Sequence, residues 1–126
     1  MVYEQTIAAI ATPSGKGGVA IIRLSGKDSL SIVKKMFAPI GKTAVENFQP
    51  YRMYPGTIDA GNFTDYGLCV YFKAPHSYTG EDVVEFQCHG GESVARGILK
   101  QTFLLGARSA GKGEFTKRAF LNGKLS

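Results

Sequence analysis

The stretch "SYTGEDVVEFQCHGG", residues 77–91, changes from turn-forming residues to a strand pattern and then to the start of a helix. Alternation in the strand pattern places Val84, Phe86 and Cys88 on one face, which predicts the core side of a sheet. Glu85 lies on the other, mixed face, which could line a cleft. Two interpretations remain open from these residues: Glu85 is solvated, or it is held on a rigid strand to bind a ligand.

Two apolar runs precede this stretch, at residues 6–12 and 19–24, and the glycine-rich "PSGKGG" separates them. Runs of this kind joined by a turn are typical of an antiparallel strand pair. The second run has one fully apolar face, and Arg23 lies on the opposite face. Arg23 has two interpretations here: an edge residue whose guanidinium reaches water, or a planar donor that binds a ligand.

A helix is predicted directly after the second run. Residues 25–28, "SGKD", fit an N-terminal cap, and Leu30, Val33 and Phe37 recur at helical spacing. Pro39 is expected to end this helix, because a proline ring is incompatible with a helix interior.

The remaining chain alternates between strand and helix patterns, and Gly106 is expected to end a long helix. The predicted elements are an irregular polar loop at 41–50, strands at 51–60, 65–74 and 81–88, a tight turn at 75–80, a helix from 90 to 106 and a short helix within 113–124. We therefore predict one α+β domain over residues 1–126, with a mixed or antiparallel β-sheet and about three helices.

The composition is that of an ordinary globular domain, with 44% hydrophobic and 20% charged residues among 126. No apolar run approaches the roughly 20 residues that span a bilayer. The N-terminal residues lack the pattern of a signal or transit peptide, so a cytoplasmic location is expected. Cys69 and Cys88 are isolated in apolar surroundings, which predicts buried free thiols.

The net charge is +5, and the excess lies late in the chain. Between residues 96 and 124, seven lysines and arginines accompany a single acid, Glu114. Such a basic end suits nucleic acid, an anionic small molecule or an acidic partner. A solvated basic face is the favoured alternative, because no base-reading motif accompanies the charge.

Residues 106–112, "GARSAGK", have the spacing of a phosphate-binding P-loop. That loop requires Ser or Thr after the lysine, and Gly113 stands there. We therefore expect no nucleotide hydrolysis by this chain. His89 precedes two glycines, and with His76 as the only other histidine we expect it to form a local hydrogen bond rather than bind zinc.

Three segments carry a family resemblance: "TIAAIATPSGKGGVAIIRLSG" at 6–26, "HSYTGEDVVEFQCHGG" at 76–91 and "GEFTKRAFLNGK" at 113–124. Together they resemble the N-terminal domain of the MnmE (TrmE) family of tRNA modification GTPases. The family usually has a proline before its "GEFT" segment, where this chain has Lys112. The family also continues past this domain into a helical domain with an inserted GTPase domain, which this chain is expected to lack.

The resemblance implies a fold similar to the tetrahydrofolate-binding domain of aminomethyltransferases. It also implies binding of a one-carbon tetrahydrofolate such as 5-formyltetrahydrofolate, and formation of a homodimer. Family members work with a flavoprotein called MnmG or GidA, and they add an aminomethyl-type group to C5 of the wobble uridine of tRNA. GTP, magnesium and potassium would bind only to the GTPase domain.

Carried over position by position, the resemblance implies folate contacts at Arg23, Glu85 and Lys124, with no catalytic residue and no metal site. The 2-amino group and adjacent ring N–H of a pterin are two coplanar donors, which one carboxylate can accept. We expect Glu85 to accept that edge and Arg23 to hydrogen-bond or stack with the ligand. Lys124 is expected to attract the carboxylates of the folate tail.

Weaker candidates accompany these three residues. Backbone amides of the turn at 79–82 could face a ligand, and Phe115 and Phe120 are expected in the core or in an interface. Two other functions are alternatives: a fragment of a folate-dependent aminomethyltransferase, for which the chain is short, and an RNA-binding module that uses the basic tail.

Overall fold

The computed structural model describes residues 5–12 and 18–124, and within these ranges it confirms an α+β architecture. The described part contains a seven-stranded mixed sheet, three α-helices and one 3₁₀ turn at Val45–Asn47. The strands are β1 (Ile7–Ile10), β2 (Val19–Ser25), β3 (Phe37–Pro39), β4 (Met53–Asp59), β5 (Thr64–Phe72), β6 (Val83–His89) and β7 (Arg108–Ser109). The helices are α1 (Ser29–Lys34), α2 (Glu92–Leu104) and α3 (Glu114–Leu121).

The strand order is β3-β4-β5-β6-β2-β1-β7. Every neighbouring pair is antiparallel except β1 and β7, which run parallel. The predicted antiparallel pairing of β1 with β2 is confirmed, while most of the turn between them lies outside the described residues. The order places β6 and β2 side by side in the middle of the sheet.

The core lies between one face of the sheet and helices α1 and α2. Period-2 alternation puts the apolar side chains of β2 and β6 on this face, as the sequence predicts for both strands. The helices contribute apolar residues at helical spacing. Fully buried members of the core include Ile22, Leu24, Val33, Ile58, Val84, Phe86 and Ile98.

The opposite face of the sheet, called the open face below, consists of the alternate residues of the same strands. Its centre is the cross-strand pair Arg23 and Glu85, at matching positions of β2 and β6. Helix α3 contributes the ring of Phe115, whose centroid lies 5.7 Å from the Arg23 guanidinium carbon. Large apolar side chains are about half exposed elsewhere on this face, at Met53 and Tyr66.

The helix predicted through Phe37 is shorter than expected, since α1 ends at Lys34. Phe37 lies instead in β3, opposite Ile58 of β4, and its ring packs 5.8 Å from that of Phe86. Pro39 is the last residue of this strand rather than a helix stop. Burial of Phe37 against the sheet therefore prevails over the helical spacing that it shares with Leu30.

Two further elements were absent from the prediction. The region 41–50 includes the 3₁₀ turn, and its Val45 and Phe48 are buried, so it is not simply a polar loop. After α2, the chain forms the short strand β7, where the Arg108 amide donates to the Thr6 carbonyl at 2.8 Å. The predicted stop at Gly106 is confirmed by its positive φ of 117° just after the end of α2.

The two cysteines are buried and unpaired, as predicted. Burial raises the pKa of the Cys69 thiol to about 12 and that of Cys88 to about 11. Both thiols therefore stay protonated at neutral pH. Within the described ranges, no helix is both long and apolar enough to cross a bilayer.

Gly67 in β5 offers a direct test of this strand packing. A Cβ atom at Gly67 would lie 2.2 Å from the Gln87 carbonyl oxygen, which is part of the neighbouring backbone. Gly67→Ala should lower the free energy of unfolding by about 2 kcal/mol or more, because β5 and β6 must move apart. Urea denaturation followed by circular dichroism measures the change.

Gly41→Ala is the matched control, since a Cβ there meets nothing within 4 Å. Its free energy of unfolding should stay within about 0.5 kcal/mol of the unaltered chain. Equal stabilities for the two variants would contradict the described spacing between β5 and β6.

Candidate functional site

The centre of the open face is an ion pair between two of the three predicted site residues. The Arg23 Nε–H donates to Glu85 Oε2 at 2.7 Å, and the register of β2 against β6 holds the two residues opposite each other. The side chains are 28% and 13% exposed, so the pair is partly shielded from water without being sealed. Arg23 does not lie on an edge strand, because β2 lies between β1 and β6.

The pair keeps hydrogen-bonding capacity on the solvent side. Among the described residues, neither Glu85 Oε1 nor the two Nη groups of Arg23 has a hydrogen-bond partner in the protein. Phe115 lies within cation–π distance of the guanidinium and limits its orientations. The arrangement therefore offers a planar acceptor and planar donors on a rigid surface.

Lys124, the third predicted residue, lies beside the turn at 77–82 rather than in the ion pair. Its amide donates to the Ala119 carbonyl at 2.8 Å, which continues the end of α3. A Cβ atom at Gly80 would lie 3.4 Å from Lys124 Cγ, so the lysine stem and the turn are close neighbours. Lys124 forms no ion pair with the described acids, and its side chain is exposed.

Hydrogen bonds to neighbouring side chains hold the turn at 77–82 in place. The fully buried Thr79 hydroxyl shares a 2.7 Å hydrogen bond with the Ser25 hydroxyl, and Ser25 Oγ also donates to Glu81 Oε1 at 2.7 Å. Asn122, just after α3, donates from Nδ2 to the Thr79 carbonyl at 2.8 Å. These bonds join the turn to β2 and to the end of α3.

The backbone amides of this turn were candidates for ligand contact, and two of them are already used. The Gly80 amide donates to Ser77 Oγ at 3.0 Å, and the Glu81 amide donates to Thr79 Oγ1 at 3.2 Å. The turn therefore satisfies these donors itself, as Ser and Thr side chains commonly do in turns.

Sequence reasoning missed Arg118, which is only 6% exposed. Its Nη1 donates to both Glu81 carboxylate oxygens, at 3.0 and 3.3 Å. Its Nη2 donates to the Gln5 carbonyl at 2.8 Å and to Glu114 Oε2 at 3.2 Å. The expectation of a solvated basic face is therefore wrong for Arg118. The sequence does contain one sign of its ion pair, because Glu114 lies four residues before it on the same helix.

Glu114 is shared between two arginines. Arg108 donates to both of its carboxylate oxygens, at 3.0 and 2.6 Å, and the Gly111 amide donates to Oε1 at 2.7 Å. The hydrogen bonds from Arg108 dominate, and they lower the pKa of Glu114 to about 2. Glu114 is therefore ionised throughout the neutral and mildly acidic range.

The segment at 106–112 lacks the setting of a phosphate loop. It contains the two exposed residues of β7 at the sheet edge instead of a buried strand, and Arg108 there is engaged with Glu114. The "GARSAGK" spacing is thus explained by a connection between α2 and α3.

His89 lies at the end of β6, and its Nδ1 is 2.7 Å from Asp65 Oδ1 on the neighbouring strand β5. The His89 amide also donates to Asp65 Oδ2 at 2.9 Å. Burial disfavours the charged form of Asp65, yet these contacts with His89 hold its pKa below the ordinary value. The residues that the structure describes include no group of three or more His, Cys, Asp or Glu side chains arranged to hold a metal ion.

The fold and these contacts define an α+β domain with an ion pair, Arg23–Glu85, on the open face of its sheet. The short helix α3 lies beside this pair and is held by ion pairs of its own. Residues 6–124 match the family described as the N-terminus of the GTP-binding protein TrmE. The chain therefore belongs to the TrmE N-terminal family.

Similar proteins bear the name tRNA modification GTPase MnmE. Those from Roseiflexus castenholzii, Helicobacter pylori and Sulfurimonas denitrificans are 49%, 48% and 51% identical to this chain. The matches cover 99%, 99% and 97% of the chain but only 27%, 26% and 26% of those proteins. The chain thus spans about a quarter of the length of these relatives.

The low pKa of Glu114 predicts how stability changes with pH. A carboxyl whose pKa falls from 4.5 to about 2 on folding stabilises the folded state above about pH 4.5, and this contribution is lost as the pH falls toward 2. Glu114→Gln should therefore lower the free energy of unfolding by about 3 kcal/mol at pH 7. The difference from the unaltered chain should shrink steadily between pH 4.5 and 2, measured by urea denaturation.

Glu92→Gln is the matched control, because Glu92 also begins a helix and pairs with an arginine four residues later. The Glu92 side chain is 63% exposed, whereas that of Glu114 is 17% exposed. The control should change stability by less than about 0.5 kcal/mol at any pH. A pH-independent difference for Glu114→Gln would contradict the assigned ionisation.

Proposed function

We propose that this domain binds a one-carbon tetrahydrofolate, with 5-formyltetrahydrofolate as the ligand to test first. The observation that carries the proposal is the Arg23–Glu85 pair, with its 2.7 Å hydrogen bond and with an acceptor and donors that no described protein group occupies. Glu85 accepts the 2-amino group and the neighbouring ring N–H of the pterin. A carboxylate fixed by two paired strands performs this role without losing further side-chain freedom on binding.

Arg23 has a double role in this proposal. Its Nε–H orients Glu85, and its Nη groups donate to acceptors on the ligand. Contact with Phe115 holds the guanidinium plane, which lowers the cost of ordering it when the ligand binds.

Lys124 supplies the attraction for the anionic end of the ligand. A folate tail ends in glutamate carboxylates, and an exposed lysine without an acidic partner favours them by its potential. Its position beside Gly80 would make the turn at 77–82 one wall of the site.

At the level of the whole protein, we propose that the chain is the N-terminal module of a tRNA modification GTPase. In this role it forms a homodimer and works with a flavoprotein of the MnmG or GidA type to add an aminomethyl-type group at C5 of the wobble uridine. Its kinship with proteins named tRNA modification GTPase MnmE supports the proposal. GTP, magnesium and potassium would bind to parts that these relatives have beyond the matched quarter.

Titration calorimetry with 5-formyltetrahydrofolate tests the ligand assignment. Glu85→Gln replaces one acceptor oxygen by an amide donor, which would face the donors of the pterin. The dissociation constant should rise roughly 10- to 100-fold, the value of a charge-assisted hydrogen bond. The thermal melt should change little, because Arg23 can still be solvated.

Glu92→Gln on α2 serves as the control, and it should bind the folate as the unaltered chain does. If Glu85→Gln binds 5-formyltetrahydrofolate with an unchanged dissociation constant, Glu85 is not part of the binding site. Transfer of a one-carbon unit without GTP or a flavoprotein would instead favour an aminomethyltransferase, and steeply salt-dependent tRNA binding would favour an RNA-binding module.

The proposed homodimer makes a separate prediction. Light scattering coupled to size-exclusion chromatography should give twice the monomer mass across a dilution series in the micromolar range. A stable monomer throughout that series would contradict dimerisation through this domain, whatever the folate titration shows.

A further inference from the structure

Arg118 is a charged residue that lies buried in the protein, with 6% of its surface exposed. Arginine is rarely buried, because removing its charge from water is unfavourable unless partners replace the water. Here the replacement is extensive: the guanidinium reaches the carboxylates of Glu81 and Glu114 and the Gln5 carbonyl. Three parts of the chain that are distant in sequence therefore meet at one side chain.

Apolar burial contributes little to the attachment of helix α3. Of its eight residues, only Arg118 and Ala119 are buried, while Phe120 and Leu121 are largely exposed. A helix of this length is not stable by itself in water. The charged contacts of Arg118 therefore tether α3 to the rest of the domain, together with the Arg108–Glu114 pair and the hydrogen bond between Thr116 and Tyr78.

The position of α3 decides the geometry of the proposed folate site. Phe115 at its start lies against Arg23, and Lys124 follows directly from its C-terminal end. The same tether reaches the turn at 77–82 through Glu81, whose Oε1 also accepts a hydrogen bond from Ser25. One guanidinium thus connects the helix, the turn and the strand that carries Arg23.

We infer that Arg118 is a positioning residue for the proposed folate site: through Glu81 and Glu114 it sets the place of α3, and hence of Phe115 and Lys124, relative to the Arg23–Glu85 pair. This inference rests on the proposed function. Arg118 itself is buried beneath the helix and need not touch the ligand.

The test combines folate titration with amide hydrogen exchange on the 126-residue chain. Arg118→Met keeps the length of the side chain and removes its charge. We expect the dissociation constant for 5-formyltetrahydrofolate to rise about ten-fold or more. Amides that donate within α3, at 117–122, should exchange faster, while those of β4, β5 and β6 keep their protection.

Three further variants separate positioning from general loss of stability. Ile58→Val weakens the core on the opposite face of the sheet, and it should bind folate normally despite a lower free energy of unfolding. The double variant Arg118→Met with Glu81→Leu removes the buried guanidinium together with the partly buried carboxylate of Glu81, so part of the stability should recover. Fast exchange in α3 and weak folate binding should persist in that variant, and in part in Arg118→Lys.

Normal folate affinity in either Arg118→Met variant would overturn the inference. Faster amide hydrogen exchange throughout the sheet, rather than in α3, would also overturn it. If the single variant fails to fold, the double variant and Arg118→Lys decide the matter by the same two measurements. If the unaltered chain binds no folate, the proposed function fails, and the exchange data alone then decide whether Arg118 tethers α3.

Discussion

The antiparallel register of β2 against β6 is the constraint on which the rest of the structure depends. It places Ile22 opposite Phe86 on the core face and, one residue further along, Arg23 opposite Glu85 on the open face. A slip of one residue would move both sets to the wrong side of the sheet. The apolar packing that specifies the fold therefore also specifies the geometry of the ion pair, and no separate element is needed to build it.

The domain is held together by two different kinds of interaction. The sheet, α1 and α2 share a continuous apolar core, whose stability varies little with pH. Helix α3 is attached in part through guanidinium–carboxylate contacts, and the strength of those made by Glu114 depends on its ionisation. Acid is therefore expected to loosen α3 and its flanking residues before it unfolds the sheet, so the site is more sensitive to acid than the fold.

Sequence patterns predicted the parts of the fold that rest on local periodicity. The alternation in β2 and β6, the apolar stripe of α2 and the stop at Gly106 all follow from residues within one element. Phe37 was assigned wrongly because its spacing suits a helix, whereas its burial depends on rings distant in sequence. Strand β7 could not be predicted from the sequence, because two exposed residues are too few to show an alternating pattern. Its strand conformation depends on pairing with β1, which is distant in sequence.

The candidate site was predictable to a similar degree. Glu85 and Arg23 could be assigned to exposed faces of strands, but their pairing depends on which strands become neighbours, and sequence order does not decide that. Arg118 shows the limit most clearly. Glu92–Arg96 and Glu114–Arg118 have the same spacing at the start of a helix, yet one pair is solvated and the other is buried. The difference comes from Glu81 and the Gln5 carbonyl, which belong to other parts of the chain.

Most of the charges around the proposed site are paired with one another. Three carboxylates and three guanidiniums neutralise one another there: Glu81 with Arg118, Glu85 with Arg23, and Glu114 with Arg108. Within the described chain, the lysines of this region have no acidic partners, at Lys112, Lys117 and Lys124. The arginines thus provide orientation through planar contacts, and the lysines provide the unbalanced potential. The ligand proposed above has a donor edge and an anionic tail and would match both features: its edge would meet the carboxylate of Glu85, and its tail would lie in the field of the lysines.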